Sequence, residues 1–495
     1  MLTISRRLVR QLRTVMRRAF GARGHGPAVC FTAAPGTLNV RAKLGNIAVE
    51  YTAAGEQPAD TLWVPFQLLD DCQGKKDEPV NIERTGKGRV TAQWRDGSVP
   101  QTVRYDADPP RDAEFPSPPE TFAENPPGLL EALAAAADTC DADSVRFATD
   151  HVQLRGEAGS IAATDGRQLL VQNGFQFPWT GEVLVPRTKI FASAELPHDQ
   201  PVRAGKSGDW VAVQCGSWTV YLAVNADGRF PDVRHHIPKQ DAATTRCVFS
   251  PADADFLVET LPRLPSEDEN NYPVTLDVNG QIAIRAKPAD SGQPTEVVLT
   301  GSSSSGEAIR VNLNRHYLVR AMRLGFRELN FTDDKTPILG RDSRREYVWA
   351  PLEPKAAIPP AKNAIRIESP LTGTETQTAV SPPRPQRRTK PVSQPNTNAN
   401  GNGQAQSNGQ TQASSQPPAN GQAAKTNGQA RRAGRKLGRE DVAGLIRQAE
   451  ATRAVLRDAL LKTSELVKAL KQHGRRNRAI QNTLASLRQL KTLGV

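Results

Sequence analysis

Residues 62–69 read Leu-Trp-Val-Pro-Phe-Gln-Leu-Leu, residues 183–191 read Val-Leu-Val-Pro-Arg-Thr-Lys-Ile-Phe, and residues 309–318 read Ile-Arg-Val-Asn-Leu-Asn-Arg-His-Tyr-Leu. Each is a short apolar strand that runs into a few residues of helical character. Val64, Val185 and Val311 are separated by 121 and 126 residues. Working outward, an apolar helix precedes each stretch, and its markers Leu8, Leu129 and Phe256 stand 121 and 127 residues apart. A strand running into Phe-Pro closes the first two units, at Phe115-Pro116 and Phe230-Pro231, 115 residues apart. Hairpin pairs such as Asp96-Gly97 and Asn279-Gly280 separate alternating segments. Independent markers agree on one period. The sequence therefore predicts an α+β chain with three copies of a unit of two helices and about eight strands, over residues 1–118, 119–240 and 241–354.

Beyond residue 354 the composition changes. Residues 1–354 hold 40 Lys and Arg against 45 Asp and Glu, whereas residues 355–495 hold 24 against 7. The body is mildly acidic and the tail strongly basic, an asymmetry that marks a nucleic-acid-binding tail on a globular body. Residues 355–432 are rich in Pro, then in Asn, Gln, Gly and Ser. Between Gln394 and Gln429 there is no Leu, Ile, Val or aromatic residue. Such a stretch has nothing to offset the entropy of ordering and reads as a disordered linker, with a span of ~50 Å as a random coil. Over residues 433–495, Leu445, Ala449, Thr452, Leu456, Ala459, Thr463, Leu466 and Leu470 alternate steps of four and three. That is a heptad seam, and the region reads as a basic coiled coil or helical hairpin. Its partner is not legible.

The helices are more basic than the body. The first, expected from about Thr3 to Phe20, carries Arg6, Arg7, Arg10, Arg13, Arg17 and Arg18, and the first acid in the chain is Glu50. The second helix of the third unit carries Arg315, Arg320 and Arg323 on nearby faces. If the helices share one surface, that surface suits a sequence-independent hold on phosphates. An Arg-rich, acid-free N-terminus also fits a mitochondrial transit peptide, although removing it would leave the first unit one helix short.

Enzyme and metal motifs are absent: there is no GxxxxGK[ST], HExxH or GxSxG, and His235-His236 is adjacent rather than at helical spacing. No cofactor or metal is expected. Five cysteines without a CxxC fit a reducing cytoplasm, and no apolar run reaches the length of a membrane span.

Three segments carry a family resemblance: Ile161-Ala-Ala-Thr-Asp-Gly-Arg-Gln-Leu-Leu-Val171, Gly228-Arg-Phe-Pro-Asp-Val-Arg-His-His-Ile-Pro-Lys239, and Val311-Asn-Leu-Asn-Arg-His-Tyr-Leu-Val-Arg-Ala-Met322 with Thr336-Pro-Ile-Leu339 and Tyr347-Val-Trp-Ala-Pro-Leu352. In this order and at this spacing, residues 1–354 resemble the bacterial DNA polymerase III beta subunit, the sliding clamp. The resemblance implies a head-to-tail homodimeric ring around double-stranded DNA. Such a ring tethers the replicative DNA polymerase, is opened by a clamp loader, and does no chemistry. It implies contact with DNA by Arg6, Arg7, Arg10, Arg13, Arg17, Arg315, Arg320 and Arg323. Phe147 is a further candidate near DNA, with a core position as its alternative. It further implies a cleft for short apolar peptides, lined by Arg146, Thr164, Gly166, Arg167, Leu169, Pro238, Val348, Pro351 and Leu352. Two departures stand out: Arg167 falls one place early, and Ala350-Pro-Leu-Glu353 replaces the usual Met-Pro-Met/Val-Arg. A second reading keeps the fold and makes the chain a non-catalytic scaffold that binds through its basic tail.

Overall fold

Alternating apolar residues and glycine-centred turns build most of the body as antiparallel strands, and the few helical stretches fall where the repeat places them. A computed structural model describes residues 1–370 apart from 22–25, 111, 143–146 and 291. The expected linker from residue 371 onward and the coiled-coil tail lie outside the described residues. The first unit runs β1 (Leu2–Ser5), α1 (Arg6–Phe20), β2 (Val29–Ala34), β3 (Gly36–Leu44), β4 (Ile47–Gly55), β5 (Asp60–Val64), α2 (Gln67–Cys72), β6 (Pro79–Gly86), β7 (Arg89–Asp96) and β8 (Val99–Asp106). The second runs β9 (Phe122–Asn125), α3 (Gly128–Thr139), β10 (His151–Arg155), β11 (Ser160–Thr164), β12 (Gln168–Asn173), β13 (Glu182–Pro186), β14 (Val202–Ser207), β15 (Trp210–Cys215) and β16 (Trp218–Ala223). The third runs β17 (Thr245–Val248), α4 (Pro251–Thr260), β18 (Pro273–Val278), β19 (Ile282–Ala286), β20 (Thr295–Leu299), β21 (Ser303–Gly306), β22 (Ile309–Asn314), α5 (Arg315–Arg323), β23 (Glu328–Phe331), β24 (Ile338–Arg341) and β25 (Arg345–Trp349).

Each unit holds two sheets of one topology. The first kind is β1-β6-β7-β8, β9-β14-β15-β16 and β17-β23-β24-β25, with β21 added outside β17. The second kind is β5-β2-β3-β4, β13-β10-β11-β12 and β22-β18-β19-β20. Units join when the last strand of a second-kind sheet pairs antiparallel with the last strand of the next unit's first-kind sheet. This happens at β4 with β16 and at β12 with β25. Two sheets therefore run unbroken across unit boundaries.

Three expectations need correction. The chain does not enter its first helix at Thr3. Leu2 and Ile4 point into the core from a strand paired with β6, and α1 begins behind Ser5, whose Oγ accepts from the Leu8 N–H at 3.1 Å. Among the described residues the middle unit has one α-helix, not two. Its second helix is a single 3-10 turn at Ile190–Ala192, started by Thr188 Oγ1. The ordered chain also passes residue 354. Ile358 is buried, with its N–H donating to Thr275 Oγ1 at 2.7 Å, and a strand β26 (Ile365–Glu368) pairs with β20. The described fold therefore extends beyond the expected boundary at residue 354.

The helices bury one apolar stripe each. On α1 this is Val9, Leu12, Val15, Met16 and Ala19. Burial of each of the larger side chains contributes roughly 1.5–3 kcal/mol. Among the described residues no helix is long and apolar enough to cross a membrane.

Candidate nucleic-acid and peptide surfaces

The helices form one contiguous series. Asp70 of α2 accepts from Arg13 Nε and Arg17 Nη2 of α1 at 2.6 and 2.5 Å. Arg18 Nη1 donates to the Ala192 carbonyl of the 3-10 turn at 3.0 Å, and that turn packs on α3. Arg320 Nη2 of α5 reaches the Ala135 carbonyl and Thr139 Oγ1 of α3, both at 2.8 Å, and α5 packs on α4. The units thus bring their helices into one packed series.

Which arginines face outward differs from expectation. Arg6 is buried: its guanidinium donates to the carbonyls of Cys72, Gln73 and Arg95, to Glu78 at 3.0 Å and to Asp96 at 3.1 Å. Arg315 is 1% exposed, and donates to the carbonyls of Leu261, Leu264, Pro265, Tyr272 and Pro273. Burial pulls its pKa down from the ordinary value. Arg6 and Arg315 are framework residues, since their donors are already spent on carbonyls and carboxylates that would otherwise be left unpaired. Arg320, by contrast, is half-buried and commits its Nη2 to α3, while its Nε has no hydrogen-bond partner. Arg13 and Arg17 are half-buried and share the Asp70 charge; Arg17 also lies over the Phe66 ring at 4.7 Å. Arg7, Arg10, Arg18 and Arg323 are exposed. Arg7 has only the exposed Asp77 at 3.6 Å, and among the described residues Arg10 and Arg323 make no ion pair. Phe147 is half-buried.

The peptide-cleft residues come together at one end of the β12–β25 junction. The turn between β11 and β12 is self-bonded. Thr164 Oγ1 donates to the Gln168 carbonyl at 2.6 Å and accepts from the Gly166 N–H at 3.0 Å. Asp165 Oδ1 accepts from the N–H groups of Arg167 and Gln168. Gly166 supplies the left-handed φ of +85° that this turn needs. The Arg167 carbonyl accepts from the Ala350 N–H at 3.0 Å, which fixes the start of the Ala350–Glu353 segment. Pro351 and Leu352 are half-buried there, and the Leu352 N–H donates to the Asn312 carbonyl at 2.7 Å. Leu169 and Val348 pair across the junction and form an apolar floor with Val233 and Leu339, against which Phe230, Ile237 and Val171 pack. Pro238 follows in the same link. Arg146 lies outside the described residues.

The sequence reading did not place Val233, Leu339, Ile237 or Tyr317 at this site, and took Phe230 only as the marker that closes the second unit. Phe230, Val233 and Ile237 recur at steps of three and four, which was the available signal. Tyr317 is half-buried on α5, and its hydroxyl pKa is pushed up to about 12, by burial first and then by Asp165 of the turn. The arrangement is an apolar floor beside an exposed Arg167, a form that takes an apolar anchor next to an acidic or polar flank. Among the described residues no three His, Cys, Asp or Glu side chains are placed to hold a metal.

No protein-family model and no curated protein matches the chain. Solved structures do. A DNA polymerase sliding clamp from Pseudomonas aeruginosa matches at 19% identity with a TM-score of 0.59, covering 71% of this chain and 99% of its own. The same coverage and TM-score hold for a P. aeruginosa sliding clamp bound to griselimycin, at 19% identity, and for the Streptococcus pneumoniae DNA polymerase III beta chain, at 14%. The described body has the sliding-clamp fold, in a divergent sequence.

Proposed function

We propose that this chain is a DNA sliding clamp: a non-catalytic, cytoplasmic, head-to-tail homodimer that encircles double-stranded DNA. It holds the replicative polymerase and the clamp loader by short apolar peptides seated over Leu169, Val348 and Leu339. One observation supports this above the others. The units join twice by the same pairing of equivalent strands, and the helices on those units form one series that exposes Arg7, Arg10, Arg18 and Arg323. Repeating the junction once more, between β20 of one copy and β8 of another, closes a ring with the basic helices on one surface.

A second reading, a clamp-like scaffold that holds DNA through its tail, is favoured by the charge division. The tail carries 24 basic against 7 acidic residues, and two of the arginines expected to touch DNA, Arg6 and Arg315, are buried inside the fold. Topology separates the two. The full chain is incubated with nicked circular or linear duplex of equal length, long enough for spontaneous ring opening, and then passed through a sizing column at a salt concentration that removes Coulombic binding. A ring stays on the circle and slides off the line. Equal loss from both substrates, with strong retention on both at low salt, sinks the ring and leaves the scaffold.

A further inference from the structure

The segment Ile365-Arg-Ile-Glu368 alternates apolar and charged side chains, the pattern of a half-buried strand. As β26 it lies parallel to β20, with Ile365 opposite Thr295 and Ile367 opposite Val297. All other strand pairs among the described residues are antiparallel. The segment is tied at both ends. The Ile365 N–H donates to the Pro294 carbonyl at 2.8 Å and the Ser369 N–H to the Val298 carbonyl at 2.9 Å. Thr300 donates its N–H to Ser369 Oγ at 2.9 Å and its hydroxyl to the Ser369 carbonyl at 3.0 Å. Ile367 packs on the core of the third unit, and Ser369 is buried.

The position of this strand gives it meaning. Strand β20 holds in the third unit the place that β4 and β12 hold in the first two, and both of those pair with the next unit. Strand β8 holds the place of β16 and β25, and among the described residues has no neighbour beyond β7. Of the two strands left in junction positions, β8 is therefore free among the described residues and β20 is covered by the chain's own β26. We propose that β26 is an edge cap that competes with β8 of a second copy for β20. Ring closure is then a strand exchange, in which the parallel β26 leaves and an antiparallel β8 enters. The proposal rests on the ring reading above. The energetics fit an exchange rather than a permanent cover. A four-residue parallel pairing is weaker than an antiparallel one along the five residues of β20, the length of both observed junctions, but its tether gives it a high local concentration.

Light scattering of the full chain over micromolar concentrations tests the competition. Ile367→Pro removes a backbone donor from the cap. A two-copy ring has two such junctions, and both caps must leave. If each cap is open one time in ten to one in a hundred, the variant should therefore dimerise about a hundred- to ten-thousandfold more tightly than the native chain. A second variant, Thr295→Cys with Ile365→Cys, joins two residues opposite in register, at the ~4.8 Å strand spacing a disulfide spans. The five native cysteines are buried, so the new pair is the reactive one. Oxidised, this chain should stay monomeric at every concentration, and reduction should restore native behaviour. Dimerisation of the oxidised chain at native strength overturns the cap and leaves the ring reading standing. If neither the proline variant nor the reduced cysteine variant dimerises at any concentration, β20 receives no second copy, and both readings fall together.

Discussion

Arginine is the residue on which the reading of this body turns, because one side chain serves two opposite tasks. Arg315 gathers five carbonyls from the segment 261–273, including that of Tyr272, which is held at a φ of +44°. Its planar fork of five donors matches that set, and a lysine would leave most of it unpaired. Arg315→Met should therefore cost roughly 3–5 kcal/mol of stability, because it strands buried carbonyls. Changing Arg7, Arg10 and Arg323 to Ser should move stability by less than about 0.5 kcal/mol each. That triple variant should instead flatten the dependence of log affinity for duplex DNA on log salt, by about 0.9 for each phosphate that the protein no longer neutralises. Urea melts and a salt titration read the two effects separately, and a destabilised triple variant with an unaltered slope would remove these residues from the DNA surface. The distinction was partly legible. Arg13 lies beside the stripe of Val9, Leu12, Val15, Met16 and Ala19, and Arg7 and Arg10 lie on the opposite side. Arg17 and Arg18, however, stand at similar angles to it, so that periodicity does not separate them. Periodicity gave the stripe; it could not give Asp70, Glu78 or Asp96, which arrive from elsewhere in the chain. For Arg315, whose partners are backbone carbonyls 42 to 54 residues away, the sequence held no signal.

At the scale of elements, the unit junctions carry the assembly and contain its titratable groups. Glu50 of β4 sits at the β4–β16 junction, accepting from Tyr221 Oη at 2.9 Å, Asn39 Nδ2 at 2.6 Å and Arg41 Nη2 at 2.7 Å. Burial alone would raise its pKa, but the hydrogen bonds from Asn39, Arg41 and Tyr221 outweigh it and hold the carboxyl below its usual 4.5. A depressed folded-state pKa contributes stability that is complete above the unfolded value and is lost as pH falls through the folded one. The first two units should therefore lose stability as pH drops from 5 toward 3, and Glu50→Gln should flatten that acid limb while lowering stability at pH 7 by about 1–3 kcal/mol. Thermal melts across this range check it; an acid limb of the same steepness in the variant would assign the loss to other carboxylates. The strands around Glu50 were legible, since period and turn signals mark them. The second helix of the middle unit was not, because Thr188 and the turn it starts stop after three residues where the other units continue. Strand β26 was hidden by composition: prolines at 354, 359 and 360 mark a linker, and only the pairing partner β20 makes a strand of the four residues that follow.

At the scale of the whole molecule, the place where folded body gives way to tail decides what each part does. Residues 1–370 hold 43 Lys and Arg against 46 Asp and Glu, so the folded part has no net attraction for DNA beyond its few exposed helix arginines. The remaining 125 residues, with 21 Lys and Arg against 6 Asp and Glu, carry all of the positive excess, with a stretch that offers no Leu, Ile, Val or aromatic side chain for packing. Cutting the chain after residue 370 should thus leave the melting temperature of the body within about 1–2 °C of the full chain, while sharply reducing non-specific DNA binding and its salt slope. A cut after residue 354 should behave differently. It removes the buried Ile358, whose burial alone is worth roughly 1.5–3 kcal/mol, together with the Ile358 N–H bond to Thr275 and the whole of β26. The shorter body should melt several degrees lower as a monomer. Because its β20 edge is bare, it should also dimerise more readily than the body ending at 370, and recover stability as its concentration rises. Calorimetry of both truncations at two concentrations, beside their masses in solution, separates the contributions. Identical melting of the two bodies would mean that residues 355–370 add nothing to the fold. A lower but concentration-independent melting of the shorter one would mean that the bare edge finds no partner.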